Sequence, residues 1–220
     1  HWERVRTPHT WQICEETAGY MGVAWYRREF DLPELPDGAV VRAEFEAVYH
    51  SAQVWVNGQP AGEHMRKGYT SFTLDLTSAV RAGERNTLAV RVDNSFDERM
   101  LPFGKSFDWT VDGGIYRPAR LLITGPLFIE SLEVRAIPDE NFSTAKLETA
   151  LRVCNSAKAS ADFSIECRIV DDSSGLTVLR LPVAEASLEA GAARHVTVPQ
   201  ARSEERRVGK ECISGGYPTQ

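Results

Sequence analysis

The stretch AQVWVNGQPAGEH at residues 52–64 shows what kind of fold this chain has. Two short segments flank Asn57-Gly58, and both of those residue types tolerate the positive φ angles of a tight hairpin turn. Val54 and Val56 fall on one face of the first segment and Trp55 on the other, because successive side chains of a strand point to opposite sides. The stretch predicts a β-hairpin. We expect Trp55 to pack against a neighbouring sheet, with an exposed lectin-like platform as the alternative.

The same two-residue period extends in both directions from this hairpin. Apolar and polar residues alternate in segments rich in β-branched and aromatic side chains, namely 25–32, 40–48, 71–76, 86–94 and 115–124. Such segments are typical of half-buried strands. Pro118 stands near the start of the last one, which indicates an edge strand or a bulge, since proline cannot donate to a sheet.

Gly125-Pro126 predicts a domain boundary. Five further strand-like segments follow between residues 126 and 201, at the regular spacing of a second antiparallel sandwich. The chain is therefore expected to be all-β, with two domains in tandem. Residues 202–220 are charged and then glycine-rich, and they resemble translated sequencing-adapter DNA, so we treat them as a non-native tail.

Composition and charge exclude several classes of function. The net charge is −6 and the isoelectric point is about 5.5, which argues against nucleic acid or an anionic membrane as a partner. No apolar run reaches the length of about 20 residues that a membrane-spanning helix needs. The four cysteines form no CxxC pair and have no histidine at ligand spacing. We therefore expect free thiols, no metal site and no cofactor.

Six segments together carry a resemblance to one family. They are PHTW (8–11), WYRREFDLP (25–33), VWVNGQPAGEH (54–64), GYTSFTLDLT (68–77), NTLAVRVDN (86–94) and DWTVDGGIYRP (108–118). In this order they resemble the N-terminal sugar-binding domain of glycoside hydrolase family 2, which includes β-galactosidases, β-glucuronidases and β-mannosidases. The resemblance implies a jelly-roll β-sandwich over residues 1–125 and a partial immunoglobulin-like sandwich over 126–201, followed by the 202–220 tail.

The resemblance also implies what this chain does and does not carry. The family's catalytic (β/α)₈ barrel holds both catalytic glutamates, and nothing in this sequence matches it. We therefore expect no catalytic residue here, and a non-catalytic N-terminal role in a retaining β-glycoside hydrolase of carbohydrate metabolism. Its partners would be the β-glycoside substrate and the barrel. The alternative is a stand-alone carbohydrate-binding module without hydrolase activity.

Two substrate-binding residues are implied by the loop before GGIYR. In the family, the acid at the position of Asp108 extends into the barrel and contacts the sugar, and a carboxylate can accept two hydroxyl groups at once. The alternative is that Asp108 closes a turn through its own backbone. Trp109 is expected either to form a wall of the sugar pocket or to anchor a domain interface.

Three neighbouring residues are expected to be structural. Asp112 is predicted to serve the turn into Gly113-Gly114, where positive φ is needed. Arg117 is predicted to lie on a strand and to form an ion pair or bridge the sheet. His9 is predicted to be a hydrogen-bonded structural histidine near Trp11, because no nucleophile surrounds it.

Overall fold

The strands of this chain belong to two units. The computed structural model describes residues 2–100, 110–142 and 144–204, and it divides into His1–Gly125 and Pro126–Gln220. The division falls between Gly125 and Pro126. Each unit is described by itself below.

The first unit consists of two antiparallel sheets. Its strands are β1 (Val23–Asp31), β2 (Val40–Phe45), β3 (Ser51–Val56), β4 (Gln59–His64), β5 (Phe72–Asp75), β6 (Arg85–Asp93) and β7 (Ala119–Thr124). One sheet has the order β1-β6-β3-β4 and the other β5-β2-β7. Two 3₁₀ turns, Trp11–Ile13 and Glu15–Thr17, precede β1. The prediction of an all-β fold is confirmed.

The core of the first unit is built from one face of each sheet. Val54 and Val56 of β3, Val90 and Val92 of β6, and Phe45 of β2 belong to a single buried cluster. Each lies at an alternate position of its strand, as the two-residue period requires. Burial of such a side chain contributes about 1.5–3 kcal/mol, so this layer of side chains holds the two sheets together.

The Asn57-Gly58 turn is the hairpin that the sequence predicts. Asn57 has φ of 52° and Gly58 φ of 80°, as in the two-residue turns that favour these residue types. The Asn57 amide also donates to the Asn86 side-chain oxygen at 2.7 Å, and its own oxygen accepts from the Thr87 backbone at 3.0 Å. The turn is thereby bound to the neighbouring strand β6.

The structure confirms the prediction made for Pro118 and contradicts the one made for Trp55. β7 begins at Ala119, directly after Pro118, and is an edge strand of its sheet, as predicted. The expectation that Trp55 packs against a neighbouring sheet is wrong. Its ring lies on the outer side of the β1-β6-β3-β4 sheet, 5.2 Å from the ring of Trp25, which is 49% exposed.

The second unit also contains only strands within its described residues. These are β8 (Leu127–Pro138), β9 (Thr144–Asn155), β10 (Ala161–Ile165), β11 (Arg168–Val170), β12 (Thr177–Arg180), β13 (Ala184–Leu188) and β14 (Ala193–Glu204). They form an antiparallel β14-β9-β8 sheet and the pairs β10-β13 and β11-β12. β14 continues three residues past the boundary that we placed at residue 201, and most of the remaining tail lies outside the described residues.

Strand β8 exposes apolar side chains on the side of the sheet that faces the core of the second unit. Leu132 is paired in register with Leu151 and Val134 with Thr149, so each pair lies on one side of the sheet. Leu151 and Thr149 are buried, whereas Leu132 is 60% and Val134 56% exposed. The edge of this sandwich therefore leaves apolar surface uncovered.

Three cysteines fall within the described chain. Cys14, Cys154 and Cys167 are free, as expected, and Cys167 packs against the core of the second unit. Across the described ranges, no helix is long and apolar enough to span a membrane.

Candidate functional site

The candidate site lies at the connection between β6 and β7 in the first unit. We call it the loop end, and define it as the connecting segment 94–118 together with the segments that hold it, 8–13, 49–51 and 65–69. Residues 101–109 of the connection, including Asp108 and Trp109, lie outside the residues that the structure describes. The geometry below concerns the two ends of this loop and the surface beside it.

Asn94 holds the outgoing end of the loop. Its side chain is 1% exposed, and its amide nitrogen donates to the Val111 carbonyl at 2.9 Å. Its side-chain oxygen accepts from the Gly22 backbone nitrogen at 2.8 Å. Because Val111 belongs to the returning end, one buried amide joins both ends of the loop to the turn before β1.

Gly113 holds the returning end against Trp11. The Gly113 nitrogen donates to Gln12 Oε1 at 2.8 Å, and its carbonyl accepts from the Trp11 backbone nitrogen at 3.2 Å. A Cβ atom at Gly113 would lie 2.0 Å from the Trp11 ring, which itself is 6% exposed. A glycine is therefore required here by close approach of the buried indole.

Gly114 is constrained by backbone as well as by side chains. Its φ is 145°, and a Cβ atom there would lie 2.3 Å from the His9 carbonyl oxygen and 2.7 Å from the Tyr26 hydroxyl. Gly114 and Tyr49 also exchange two backbone hydrogen bonds, at 3.0 and 3.3 Å. The two adjacent glycines thus let the chain pass between the segment of His9 and Trp11 on one side and Tyr49 on the other.

His9 has the structural role that the sequence predicts. Its Nδ1 lies 2.9 Å from the Tyr26 hydroxyl, and its backbone nitrogen donates to the Ile115 carbonyl at 2.8 Å. Burial lowers the pKa of His9, and the charge of Glu3 opposes this only in part. Burial also raises the pKa of Tyr26 to about 12, so the hydroxyl stays protonated. The PHTW segment therefore anchors the GGI segment of the loop.

An open cavity lies beside the outgoing end of the loop. Its volume is about 590 Å³, and it is lined by His50, Ser51, Met65, Arg66, Asp93, Ser95, Phe96, Asp97, Glu98 and Arg99. Charged groups of both signs and an exposed aromatic ring line the same space. Of the lining residues only Met65 and Phe96 are apolar, so the cavity is mainly polar.

A chain of hydrogen bonds fixes the floor of this cavity. His50 is 5% exposed, its Nε2 lies 2.8 Å from the Ser95 carbonyl, and its Nδ1 lies 2.9 Å from Ser51 Oγ. Since a carbonyl can only accept, Nε2 carries the proton, and in the neutral ring Nδ1 accepts from the Ser51 hydroxyl. Ser51 Oγ in turn accepts from the Arg66 nitrogen at 3.1 Å. Nε2 of His50 thus holds the Ser95 backbone, and Nδ1 joins the ring to Ser51.

The two aspartates of the cavity are held in the ionised form. Arg99 donates to both carboxylate oxygens of Asp97, at 2.9 and 3.0 Å, and these hydrogen bonds lower the pKa of Asp97 to about 2. Burial acts to raise the pKa of Asp93, but hydrogen bonds from Ser95 and the charge of Arg91 outweigh it, so the pKa lies below its ordinary value. Neither carboxyl group carries a proton near neutral pH.

Two further predictions concern residues that the structure describes. Gly113 is held by Gln12 and Trp11, and the positive φ expected in this turn falls on Gly114, at 145°, while the role of Asp112 in the turn stays a prediction. Arg117 lies before β7 rather than on it, is exposed, and contacts the ring of Tyr116 at 5.9 Å. The predicted position of Arg117 on a strand is therefore wrong, and among the described residues it has no ion pair.

Sequence reasoning missed Asn94, His50 and the Asp97–Arg99 pair. Asn94 could have been found as the polar last residue of the predicted strand 86–94, a position where a buried amide often caps neighbouring backbone groups. His50 stands in the segment YHS between two strongly apolar strands, which in retrospect marks a buried histidine. Across residues 2–100, 110–142 and 144–204, no group of three or more histidine, cysteine or acidic residues could hold a metal ion.

The fold and this site define a two-sheet β-sandwich with a firmly held loop at one end. Residues 2–125 match the family model described as "Glycosyl hydrolases family 2, sugar binding domain". This chain belongs to glycosyl hydrolase family 2.

Relatives and solved structures agree with this assignment. The chain is 30% identical over 213 residues to a β-galactosidase from Bacteroides ovatus. The aligned region covers 90% of this chain and 23% of that protein. It is 31% identical over 189 residues to a β-glucuronidase from Formosa agariphila, covering 78% of this chain and 18% of that protein. The chain thus spans only about a fifth of the length of these relatives.

Two solved structures have the same fold over nearly the whole chain. A family 2 member from Bacteroides cellulosilyticus superposes with a TM-score of 0.77 at 28% identity, over 92% of this chain and 28% of that one. A β-glucuronidase from Bacteroides uniformis superposes with a TM-score of 0.75 at 27% identity, over 91% of this chain and 24% of that one.

Proposed function

We propose that this chain is the N-terminal, non-catalytic part of a retaining β-glycoside hydrolase of carbohydrate metabolism. Its relatives are named as β-galactosidases and β-glucuronidases, and the chain corresponds to a minor share of their length. The observation that carries the proposal is the loop end, where a long connection is bound at both ends beside a polar cavity. The loop end would support the catalytic barrel and contribute to its sugar pocket.

The carboxylates of the described cavity do not suit catalysis. Retaining hydrolysis needs two carboxyl groups about 5 Å apart, one of them able to donate a proton. A general acid works best with a pKa near the working pH, whereas Asp97 has a pKa of about 2 and Asp93 is also held below its ordinary value. The nucleophile and the acid would come from the two glutamates of the barrel.

Asp108 is proposed as the sugar contact of this unit, and Trp109 as a wall of the pocket. A charged carboxylate forms stronger hydrogen bonds than a neutral group, and it can accept two adjacent sugar hydroxyls. Asn94 and Gly113 fix the two ends of the loop, which lowers the entropy that substrate binding must remove. The alternative for Asp108, closure of a turn, predicts no effect on turnover beyond a change in stability.

Exposed aromatic rings support a docking role for the same end. Phe96 is 59% exposed and lines the cavity with Asp97 and Arg99, and Tyr69 is 41% exposed and lies against the Tyr49 ring, with 5.5 Å between ring centroids. Aromatic side chains and arginine are enriched where protein surfaces meet. We infer that the barrel covers this surface in the complete enzyme.

The test compares this chain with the enzyme encoded by the complete parent gene. The complete enzyme should release p-nitrophenol from a p-nitrophenyl β-galactoside, β-glucuronide or β-mannoside, and its coding sequence should contain a barrel with two glutamates at strand ends. The present chain alone should release none. Turnover by the chain alone, or a parent gene that encodes no barrel, would contradict the proposal.

A further inference from the structure

The outer face of the β1-β6-β3-β4 sheet carries a pair of tryptophans that the loop end does not involve. The ring centroids of Trp25 and Trp55 lie 5.2 Å apart with 37° between the ring planes. Trp25 is 49% exposed although it lies on a nine-residue strand of a well-formed sheet. The contact between the two indoles makes their apolar surface contiguous, and contiguous exposed apolar patches can mark ligand-binding sites.

The register of the sheet explains how the two rings meet. Trp55 on β3 and Arg27 on β1 both pair with Ala89 of the intervening strand β6, and Trp25 pairs with the next outer residue, Arg91. Because Ala89 has only a methyl group, the two indoles can make contact across β6. They form one continuous apolar surface near the middle of the sheet.

A row of polar side chains runs beside this apolar surface. Trp25, Arg91, Gln53 and Glu63 are paired in register across all four strands. Arg91 donates to Gln53 at 3.3 Å and to Asp93 at 3.1 Å, and Gln53 donates to Glu63 at 3.2 Å. Planar donors and acceptors are thus held at fixed positions next to the indoles.

This combination fits a sugar better than the other ligand classes. A pyranose ring has an apolar face of C–H groups that can lie on an indole, and hydroxyl groups around its edge that need both donors and acceptors. The charges on this face are paired, as in Arg27 with Glu29 at 2.8 Å, which does not favour a polyanion. An interface core is usually depleted of charged residues, whereas these tryptophans are surrounded by them.

We propose that Trp25 and Trp55, with Arg91, Gln53 and Glu63, form a second carbohydrate-binding site for neutral glycans of several sugar units. None of these five residues belongs to the connecting segment 94–118. This role rests on the function proposed above: the second site would hold one part of a polymeric glycan while the loop end contacts another part of the same glycan. Two adjacent indoles suit a glycan of several units rather than a single sugar.

The test is a titration of this chain with cellohexaose, β-1,4-mannohexaose and β-1,4-galactohexaose, followed by calorimetry and by tryptophan fluorescence. At least one hexaose should bind saturably at millimolar or lower concentration. Trp25→Ala should weaken that binding at least about tenfold, which corresponds to about 1.4 kcal/mol. Gln53→Ala, which leaves both indoles in place, should weaken it several-fold.

Matched controls distinguish this site from the alternatives. Trp2 is 64% exposed and lies outside the sheet, so Trp2→Ala should bind the hexaose as the unchanged chain does. Far-UV circular dichroism verifies that each variant is folded.

Three results would overturn the proposal. The first is that none of the three hexaoses binds. The second is that Trp25→Ala and Trp2→Ala bind with equal affinity. The third is that Trp25→Ala converts an oligomer into a monomer in light scattering, since the tryptophan pair would then be a contact between copies of the chain.

Discussion

Replacement of Gly113 by alanine tests the physical basis of the loop end. The added methyl group would lie 2.0, 2.4 and 2.7 Å from three carbons of the Trp11 ring, all far inside contact distance. The indole cannot simply move away, because it is buried and its Nε1 donates to the Tyr20 carbonyl at 3.2 Å. Either the ring or the loop must shift, and the hydrogen bond from Gly113 to Gln12 is then strained as well.

The expected cost of Gly113→Ala is about 1–3 kcal/mol, as for other overpacked sites. The measurement is the free energy of unfolding in urea, followed by tryptophan fluorescence. Gly125→Ala is the matched control, since nothing lies within 4 Å of a Cβ atom at Gly125. That variant should differ from the unchanged chain by no more than about 0.5 kcal/mol.

Gly114→Ala extends the same test. Its new methyl group would meet the His9 carbonyl, which is backbone, at 2.3 Å, and φ at Gly114 is 145°. Because backbone yields less readily than a side chain, Gly114→Ala should cost at least as much as Gly113→Ala. If Gly113→Ala and Gly114→Ala are both as stable as Gly125→Ala, the close packing that we describe at the loop end is wrong.

Three further predictions follow from single contacts. Asn94→Ala leaves the Gly22 nitrogen and the Val111 carbonyl without this partner. The free energy of unfolding in urea should therefore fall by about 1–3 kcal/mol. An unchanged free energy would show that Asn94 does not link the loop ends. Burial lowers the pKa of His9 in the folded chain, so the unfolded chain binds more protons and stability should fall as pH drops through about 6.5. His9→Gln should reduce that loss between pH 7 and pH 5, measured by thermal unfolding (an unchanged slope would count against the burial effect). Gly58→Ala places a methyl group in open space at φ of 80°, so only backbone strain of about 1–2 kcal/mol is expected, and no loss of stability would contradict the turn geometry.

Much of the fold is readable from the sequence because alternation and turn chemistry act over a few residues. The hairpin at Asn57-Gly58 and the edge position of β7 after Pro118 follow from local rules alone. The Trp25–Trp55 contact could not be predicted in this way. It depends on β6 lying between β1 and β3, and on the register that places Ala89 beneath the rings.

The candidate site is less predictable for the same reason. The PHTW and GGI segments can both be recognised in the sequence, but nothing local shows that Gly113 lies against the Trp11 ring. Likewise, His50 and Ser95 are 45 residues apart and meet only after β3 and β6 pair. Contacts of this kind depend on the closed sandwich rather than on sequence spacing.

The most direct test of the account is the turnover of Asp108→Ala in the complete enzyme. If Asp108 accepts hydrogen bonds from the substrate, each charge-assisted bond is worth about 1.5–3 kcal/mol. The value of kcat/KM for a p-nitrophenyl β-glycoside should therefore fall by roughly 100-fold, with the melting temperature unchanged. Asp112→Ala, four residues further along the same loop, is the control and should lower kcat/KM only slightly. Equal kinetics for Asp108→Ala and Asp112→Ala would contradict the claim that this unit contributes to the sugar pocket.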